Sequence, residues 1–345
     1  MSQSAPVKLQ PFLARALHAP SLTQQESYDA FSIIMNGEAD DAQVAALLAI
    51  LASRGPTVEE VVGAARVMRE HVTPVPVADE IRTRLIDTCG TGGAPKTFNV
   101  STAAAFVAAG AGARVAKHGN RSRTGRGSAE VLERLGVNVN ATPPMQARCL
   151  EEAGVCFSFA IHHHPAIKHA MPARRALGFP TIFNLLGPLT NPAGARRQLI
   201  GVYAPHLTEL LARALLELGS DRAMVVHGAG GLDELSISGP NRISECRDGM
   251  VNCRMEASSK SGVQAGPIEA IAATDLDAAA AIVTRVLDGE PGPPCEMVIL
   301  NAAAALVVAD LAIDMSEGVA RARESIDSGA ARLALNSLIA TSSRA

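Results

Sequence analysis

Apolar side chains in residues 9–70 recur at the spacing of amphipathic helices. This spacing predicts helices over residues 11–17, 23–34, 44–51 and 58–69. Thr23, Asp41 and Thr57 are residue types that cap helix N-termini, and each stands near the start of one predicted helix. Because amphipathic helices need a partner surface, this region is expected to form a small helical unit.

A different pattern begins after the proline-rich segment 73–77, which is the best linker candidate because proline stiffens the backbone. Short β-rich runs then alternate with helical stretches. Strands are predicted at residues 85–86, 113–116, 137–139, 155–159, 199–203, 224–227 and 297–300. The alternation predicts a large α/β unit with a mostly parallel central sheet and helices on both faces.

Between residues 165 and 189 the apolar period becomes helical again and prolines interrupt it. We expect this segment to leave the sheet and pack with the N-terminal helices. The predicted fold is therefore a small all-helical domain, residues 1–76 and about 165–190, joined to a large α/β domain, residues 80–164 and 191–345. A crevice between such domains is a favoured ligand site.

Composition narrows the possible functions. The chain has 345 residues and a formal net charge of −3, which argues against a nucleic-acid binder held by a general basic surface. It has no Trp and two Tyr, so aromatic platforms for base stacking are few. Six cysteines lack Cys-x-x-Cys spacing, and the chain carries neither a signal pattern nor a membrane-length apolar run. We expect a soluble, cytoplasmic protein with reduced thiols.

A glycine-rich loop follows the strand predicted at residues 85–86. Gly90, Gly92 and Gly93 permit positive φ and close approach to a bound group, and Asn99, Ser101 and Thr102 precede an apolar helix. Pro95 stands where both the Walker loop and the dinucleotide fingerprint need glycine, so neither motif fits. The loop predicts phosphate binding, with an ordinary strand-to-helix turn as the alternative.

A second polar loop, Lys117-His-Gly-Asn-Arg121, repeats this arrangement after the next predicted strand. It leads through Gly125, Gly127 and Ser128 into another helix, and both loops are expected at the carboxyl ends of parallel strands, where ligands bind. A solvated basic loop is the alternative. Extra positive charge comes from Arg121, Arg123 and Arg126.

Two later segments carry further candidate residues. Arg174 or Arg175 could hold a carboxylate through two parallel hydrogen bonds, although a solvent-facing pair would look the same. Asp233 and Glu234 follow a strand on a glycine turn and suit Mg²⁺, with two solvated acids as the alternative. The three histidines at 162–164 cannot all face one ion, because successive side chains on an extended segment alternate, so at most one is expected in the crevice.

Together these motifs resemble those of the anthranilate phosphoribosyltransferases, and the resemblance extends nearly end to end. The matching segments are 37–46, Gly-Thr-Gly-Gly at 90–93, Asn-Val-Ser-Thr at 99–102, Lys-His-Gly-Asn-Arg at 117–121, Gly-Ser-Ala at 127–129, His-His-Pro-Ala at 163–166, the run 181–192 and Gly-Leu-Asp-Glu at 231–234. The resemblance implies transfer of a phosphoribosyl group from phosphoribosyl diphosphate to the amine of anthranilate, Mg²⁺ as cofactor, and a homodimer formed through the helical domain.

The resemblance also implies roles for individual residues, none of them an acid, base or nucleophile. Those expected to bind phosphoribosyl diphosphate are Gly90, Gly93, Thr97, Asn99, Ser101, Thr102, Lys117, His118, Gly119, Asn120, Arg121 and Ser128. Those expected near anthranilate are Gly90, His118, Asn120, His164, Arg174 and Gly187. The residues expected to contact metal are Ser101, Asp233 and Glu234.

The chain departs from the family pattern in both phosphate loops, each of which is one residue shorter than usual. Ala94 replaces a common acidic residue and Pro180 a common arginine, so Lys96, Arg123 and Arg126 are candidates to take over phosphate contacts. Two alternative functions are a pyrimidine-nucleoside phosphorylase, which shares the fold and the first glycine loop, and a non-catalytic nucleic-acid-binding paralogue. The second loop and the acidic pair favour diphosphate with Mg²⁺ over both.

Overall fold

The structure is a computed structural model and describes residues 8–95, 97–122 and 125–344. It combines an N-terminal set of helices with a larger α/β unit. The helices are α1 (Gln10–His18), α2 (Gln24–Met35), α3 (Asp41–Arg54), α4 (Val58–Glu70), α5 (Asp79–Arg82), α6 (Val100–Gly110), α7 (Ser128–Arg134), α8 (Pro143–Glu152), α9 (Ala160–His163), α10 (Met171–Leu177), α11 (Ile182–Leu186), α12 (Leu207–Glu217), α13 (Leu276–Leu287), α14 (Pro293–Val308), α15 (Met315–Asp327) and α16 (Ala330–Ser342).

One sheet organises the larger unit. Its strands are β1 (Leu85–Gly90), β2 (Arg114–Gly119), β3 (Val155–Phe159), β4 (Arg197–Gly201), β5 (Arg222–His227), β6 (Pro240–Arg247) and β7 (Met250–Ala257). The spatial order is β3-β2-β1-β4-β5-β6-β7, parallel from β3 to β5 and antiparallel from β5 to β7. The predicted combination of a helical part with a mostly parallel α/β part is confirmed.

Two predicted strands are wrong. Residues 137–139 lie in the connection between α7 and α8, and residues 297–300 lie inside the buried helix α14. Helix α14 is apolar on every side, so its sequence lacks the polar stripe that distinguishes a helix from a buried strand. The antiparallel hairpin of β6 and β7 was not predicted, because much of β7 is exposed and polar.

The N-terminal helices begin close to the predicted positions. Thr23 and Thr57 each form a capping box with a glutamate three residues later, whereas α3 is capped by Asp40 and not by Asp41. The proline-rich segment 165–189 forms two short α-helices and two 3₁₀ turns. Helix α10 packs against α3 and α11 against α4, so this segment contacts the N-terminal helices.

Both faces of the sheet are covered. One face packs against α6 and α14, and α13 packs on these two helices in the same large apolar core. The other face carries Ile200, Val202 and Val225 into a second core shared with α12 and the N-terminal helices. The six cysteines all lie in the described residues and form no disulfide there. In the described part of the chain, no helix is both long and apolar enough to cross a membrane.

Candidate active site

Four parallel strands end at the same edge of the sheet, and their following loops hold most of the predicted site residues. The strands β2, β1, β4 and β5 are neighbours and end at Gly119, Gly90, Gly201 and His227. Parallel strands place their carboxyl ends side by side. The two glycine loops and the acidic turn therefore lie side by side, although they are far apart in the sequence.

The acidic turn is fitted closely against two strand ends. It begins with Gly228, whose N–H donates to Leu232 O at 2.9 Å. A Cβ on Gly201 would lie 1.5 Å from Asp233 O, and a Cβ on Gly90 would lie 3.0 Å from Asp233 Oδ2. Glycine at 201 is therefore required for the backbone of Asp233 to approach β4. Gly201 is a site residue that the sequence analysis missed.

Glu234 faces the start of helix α6. Its Oε1 accepts a hydrogen bond from Ser101 N at 3.3 Å. Burial, followed by the negative charge of Asp233, raises the pKa of Glu234 to about 8, and Lys117 and Ser101 oppose that shift. The negative charge of one carboxylate therefore disfavours ionisation of the other. A divalent cation there would stabilise the charged form of both.

Lys117 is the cation of this cluster and is 3% exposed. Its Nζ donates to Thr88 O at 2.6 Å and to Ser101 Oγ at 3.2 Å. Burial lowers the pKa of Lys117, while the charges of Asp87, Cys89 and Glu234 act in the opposite direction. The ammonium group therefore lies beneath the first loop, facing the helix start rather than bulk water.

The first glycine loop has the predicted backbone at two of its three glycines. Gly92 and Gly93 have φ of 66° and 95°, whereas Gly90 ends β1 without positive φ, so the prediction for Gly90 is wrong in this respect. Asn99 is the N-cap of α6 and donates Nδ2–H to Arg126 O at 3.3 Å. Lys96, a predicted phosphate contact, lies outside the described residues.

Other residues near the start of α6 are placed at different depths. Thr97 is half-buried, and its hydroxyl donates to Phe98 O at 2.9 Å. Thr102 is fully buried, and its Oγ1 has no hydrogen-bond partner among the described residues. Ser101 is half-buried between Lys117 and Glu234. Ser101 is therefore the one of these three that joins the charged groups.

The second loop is held against the first turn of α7. A Cβ on Gly119 would lie 2.2 Å from Ser128 Oγ and 2.6 Å from Phe157, so only glycine fits there. Asn120 is exposed, and its Oδ1 accepts from Arg121 N at 2.8 Å. The position of Asn120 leaves its side chain accessible to a ligand.

The arginines of the second loop have protein partners. Arg121 forms an ion pair with Glu133 at 2.6 Å and lies 5.5 Å from the centre of the Phe159 ring. Arg126 donates a hydrogen bond to Ala273 O. Arg123 lies outside the described residues. Arg121 and Arg126 would have to exchange or share these contacts in order to bind phosphate.

Two histidines form an uncharged side of the site. His118 Nδ1 lies 3.2 Å from Gly187 O, and its Nε2 lies 3.2 Å from His164 Nε2. Burial lowers the pKa of His118 well below its usual value, and burial with the neighbouring His163 lowers the pKa of His164 to about 4. Gly187 has no other atom within 4 Å of its Cβ position. Space is therefore open beside the histidine pair.

The three consecutive histidines point to different partners. His162 is exposed and contacts Asn140 Oδ1 at 2.8 Å, and His163 is buried with its Nδ1 2.7 Å from Thr73 O. Only His164 reaches His118. No group of three or more His, Cys, Asp or Glu side chains within residues 8–95, 97–122 and 125–344 is arranged to hold a metal ion.

Arg174 lies on α10, outside the sheet. It is half-buried, and its guanidinium carbon is 5.1 Å from the centre of the Phe183 ring. Arg175 is exposed on the same helix. Pro180, which replaces a common arginine of the family, is also exposed. Of the two arginines, Arg174 is therefore the better placed to meet a ligand between α10 and the sheet edge.

The donor set at the acidic turn fits Mg²⁺. This ion takes one or two protein carboxylates and completes its coordination with water and substrate phosphates. Asp233 and Glu234 would supply the carboxylates, and burial, followed by the negative charge of Asp233, raises the pKa of Glu234 despite the opposing charge of Lys117. The serine hydroxyl of Ser101 is a further oxygen at the same position.

Comparison with known proteins agrees with this architecture. Residues 10–72 match the model described as "Glycosyl transferase family, helical bundle domain", and residues 82–332 match "Glycosyl transferase family, a/b domain". Fold and site thus define a two-part glycosyl transferase. An anthranilate phosphoribosyltransferase of Thioalkalivibrio sulfidiphilus is 50% identical over 320 residues, which cover 92% of this chain and 94% of the relative. The chain belongs to the anthranilate phosphoribosyltransferase family.

Solved structures support the same family over the whole fold. The anthranilate phosphoribosyltransferase of Thermus thermophilus matches with a TM-score of 0.90 at 40% identity, covering 96% of this chain and 99% of that one. The enzyme of Saccharomyces cerevisiae, in complex with PRPP and Mg, matches with a TM-score of 0.87 at 26% identity over 98% of this chain and 99% of that one. Both of these structures are anthranilate phosphoribosyltransferases, and neither is a phosphorylase or a nucleic-acid-binding protein.

Proposed function

We propose that this chain transfers the phosphoribosyl group of phosphoribosyl diphosphate to the amine of anthranilate, yielding N-(5-phosphoribosyl)anthranilate and diphosphate. Family membership gives the reaction class. One observation supports the assignment of the reaction to this site. At the start of α6, Ser101 forms hydrogen bonds with both Lys117 and Glu234, and Asp233 lies beside Glu234. A buried cation and two carboxylates beside two glycine loops suit a diphosphate with a divalent metal.

The first substrate is held by the two loops. The backbone around Gly90 and Gly93 approaches the ribosyl diphosphate, and the N-terminus of α6 adds partial positive charge. Lys117, beneath the first loop, compensates the negative charge of the diphosphate. The complete set of proposed contacts is Gly90, Gly93, Thr97, Asn99, Ser101, Thr102, Lys117, His118, Gly119, Asn120, Arg121 and Ser128, with Arg126 as a further candidate.

Asp233, Glu234 and Ser101 hold the magnesium ion in this proposal. When bound, Mg²⁺ supplies positive charge to the departing diphosphate. Glu234 must lose its proton to serve as a ligand, and its pKa of about 8 means that metal binding near neutral pH releases that proton. The use of Mg²⁺ is supported by the yeast relative, which was solved with PRPP and Mg.

Anthranilate occupies the uncharged side beside Gly187. Arg174 pairs with its carboxylate, and His118 and His164 offer a neutral, partly aromatic wall for the ring. Gly90 of the first loop and Asn120 of the second loop are proposed to contact anthranilate as well. A yeast relative in complex with 4-fluoroanthranilate, with a TM-score of 0.86 at 25% identity over 97% of this chain and 98% of that one, supports an acceptor of this chemistry.

The chain's residues act by positioning and by charge stabilisation. The bond between ribose C1 and the diphosphate oxygen breaks as the anthranilate nitrogen bonds to C1 from the opposite face, and the nitrogen then releases one proton. Lys117 and the first turn of α6 stabilise the negative charge that the diphosphate gains. His118 and His164, held neutral by burial, exclude water and orient the acceptor. No protein nucleophile is needed.

The domain division and the dimer belong to the same proposal. We assign residues 1–76 and about 165–190 to the helical domain and residues 80–164 and 191–345 to the α/β domain. Packing of α10 on α3 and α11 on α4 supports this division. The helical domain is proposed to form a homodimer, and the exposed Leu17 on α1 is an apolar residue available for that contact. Sedimentation of the purified chain at twice its monomer mass is expected.

One assay tests the reaction. The protein is mixed with anthranilate, phosphoribosyl diphosphate and Mg²⁺, and the fluorescence of anthranilate is followed. We expect a loss of signal that requires both phosphoribosyl diphosphate and Mg²⁺. A parallel mixture of thymidine and inorganic phosphate, without metal, tests for phosphorolysis. Thymine release there, with stable anthranilate fluorescence, would favour the phosphorylase alternative and contradict the proposal.

A further inference from the structure

A second pocket lies at the opposite edge of the sheet from the candidate active site. Its volume is about 250 Å³, and it is formed where β4 begins, beside the end of α4. Strand β4 separates the two sites, because Gly201 contacts Asp233 while Arg196 lines this pocket. At about 3.3 Å per residue, these five residues span about 17 Å along the strand. The pocket is therefore not part of the site described above.

Three arginines from separate segments line this cavity, which we name the arginine pocket. Arg69 comes from α4, Arg82 from α5, and Arg196 from the residue before β4. Like charges that converge on one cavity repel one another, and Arg196 lowers the pKa of Arg69, although burial lowers it more. An arrangement of this kind is stabilised by an anion placed between the guanidinium groups.

Arg69 is the least compensated of the three. Its Nε donates to Leu189 O at 2.8 Å and its Nη1 to Leu218 O at 3.0 Å, which are uncharged acceptors. No carboxylate of the described residues forms an ion pair with Arg69. Because a guanidinium carries five N–H donors, these two bonds leave donors for a ligand. A mostly buried cation without an anionic partner is unfavourable unless one binds.

The other two arginines are anchored at one side and exposed at the other. Arg82 donates to Val77 O at 2.9 Å and lies 3.8 Å from Asp79, with 47% of its side chain exposed. Arg196 donates to Gly219 O at 2.9 Å and pairs with Asp221 at 2.8 Å, with 59% exposed. Both are oriented by these contacts and accessible to a small molecule that enters from solvent.

Apolar side chains form the rest of the wall and indicate the class of ligand. Val72, Pro74, Val75, Pro192 and Leu218 line the cavity. An inorganic phosphate would leave these surfaces without a partner, whereas a carboxylate on a compact apolar body would contact both the walls and the arginines. The volume is below the range typical of drug-sized ligands, so the occupant is small.

The pocket also spans both connections between the N-terminal helices and the sheet. Residues 72–75 leave α4, and residues 191–196 return from the segment that contacts the N-terminal helices; Val75 N donates to Pro192 O at 3.0 Å. Asn191 lines the pocket and donates Nδ2–H to Ala116 O at 2.7 Å, one residue before Lys117. We propose that the arginine pocket binds a small organic carboxylate at this junction, separately from the substrates.

Calorimetric titration of the full-length protein with benzoate tests this proposal. We expect saturable binding that the double variant Arg82→Gln with Arg196→Gln weakens at least about tenfold, since it removes two charge-assisted contacts. Arg66→Gln is the matched control, because Arg66 is exposed on α4 one turn from Arg69 and does not line the pocket. Binding to this control should equal binding to the natural chain.

Two further arms separate the pocket from the active site and from inorganic anions. Because benzoate resembles the acceptor proposed to pair with Arg174, the titration is repeated with Arg174→Ala, which should keep the benzoate binding that depends on Arg82 and Arg196. If Arg174→Ala abolishes all benzoate binding and the Arg82/Arg196 variant does not weaken it, benzoate occupies only the active site and the proposal is wrong. Inorganic phosphate should compete weakly. Tight phosphate binding with the same arginine dependence, or no benzoate binding at all, would also overturn it. Circular dichroism of each variant checks the fold.

Discussion

The two sides of the candidate active site handle charge in opposite ways. The charged half consists of Lys117, Asp233 and Glu234, and burial together with neighbouring charges displaces the pKa values of Lys117 and Glu234. The neutral half, His118 and His164 beside Gly187, holds two imidazoles uncharged. Both halves lie at the carboxyl edge of one sheet, so the difference comes from side chains and not from the backbone framework.

This difference corresponds to the difference between the proposed substrates. A diphosphate carries several negative charges and leaves with one more, so it needs cations and fixed dipoles. The aromatic ring of anthranilate is uncharged and packs best against apolar and neutral surfaces, while its carboxylate has a separate partner in Arg174. The contrast teaches that a single sheet edge can position two chemically unlike substrates when neighbouring loops carry different charge.

Removal of the acidic pair should have the largest effect. Asp233→Ala with Glu234→Ala is expected to lower kcat/KM for phosphoribosyl diphosphate about 10³-fold, because the metal loses both carboxylate ligands. Steady-state rates across a Mg²⁺ series measure this. The control is Glu151→Ala, which removes an exposed carboxylate from α8. An unchanged Mg²⁺ dependence in the double variant would show that the charged half does not bind metal.

Lys117→Met should follow in size. Methionine has a similar length and no charge, so the variant removes the cation beneath the first loop while filling its space. We expect kcat/KM for phosphoribosyl diphosphate to fall about 10²-fold, with little change in KM for anthranilate. Thermal unfolding should not be lowered greatly, because the buried ammonium is already disfavoured by desolvation. Equal falls in kcat/KM for both substrates would contradict a role of Lys117 specific to the diphosphate.

The sequence predicted the two halves to different extents. The glycine loops and the acidic turn were proposed because each is a local pattern of residue types, whereas Arg174 was chosen over the adjacent arginine only through the family resemblance. The contact between His118 and His164 depends on residues 46 positions apart in the chain, and no local period predicts it. Gly201 was missed for the same reason, since its need for glycine arises from Asp233 on another loop.

The fold shows the same limit. The five strands β1 to β5 were each predicted, from short β-rich runs that alternate with helical stretches. The buried helix α14 was read in part as a strand, because a run that is apolar on all sides has no period that separates the two structures. Tertiary burial, and not local propensity, decides the structure of such a segment.

Arg174→Ala tests the acceptor side with a smaller expected effect. Loss of a carboxylate partner should raise KM for anthranilate about tenfold and leave KM for phosphoribosyl diphosphate nearly unchanged. Arg175→Ala is the matched control, because Arg175 is the next residue on α10 and is exposed. Initial rates with each substrate varied in turn provide the measurement. If both KM values rise equally, Arg174 acts on the fold of the site and not on the carboxylate.

The smallest effect concerns stability and pH. Burial holds the pKa of His164 at about 4, below its ordinary value of 6.5. Between these values the unfolded chain binds a proton that the folded chain does not, so stability falls as pH decreases below about 6.5. His164→Gln removes this term and should reduce the loss between pH 7 and pH 5 by about 1–2 kcal/mol. Urea unfolding at both pH values measures it. The control is His162→Gln, at an exposed position, which should lose as much stability between pH 7 and pH 5 as the natural chain. If His164→Gln also loses that much, His164 is not held uncharged by the folded protein.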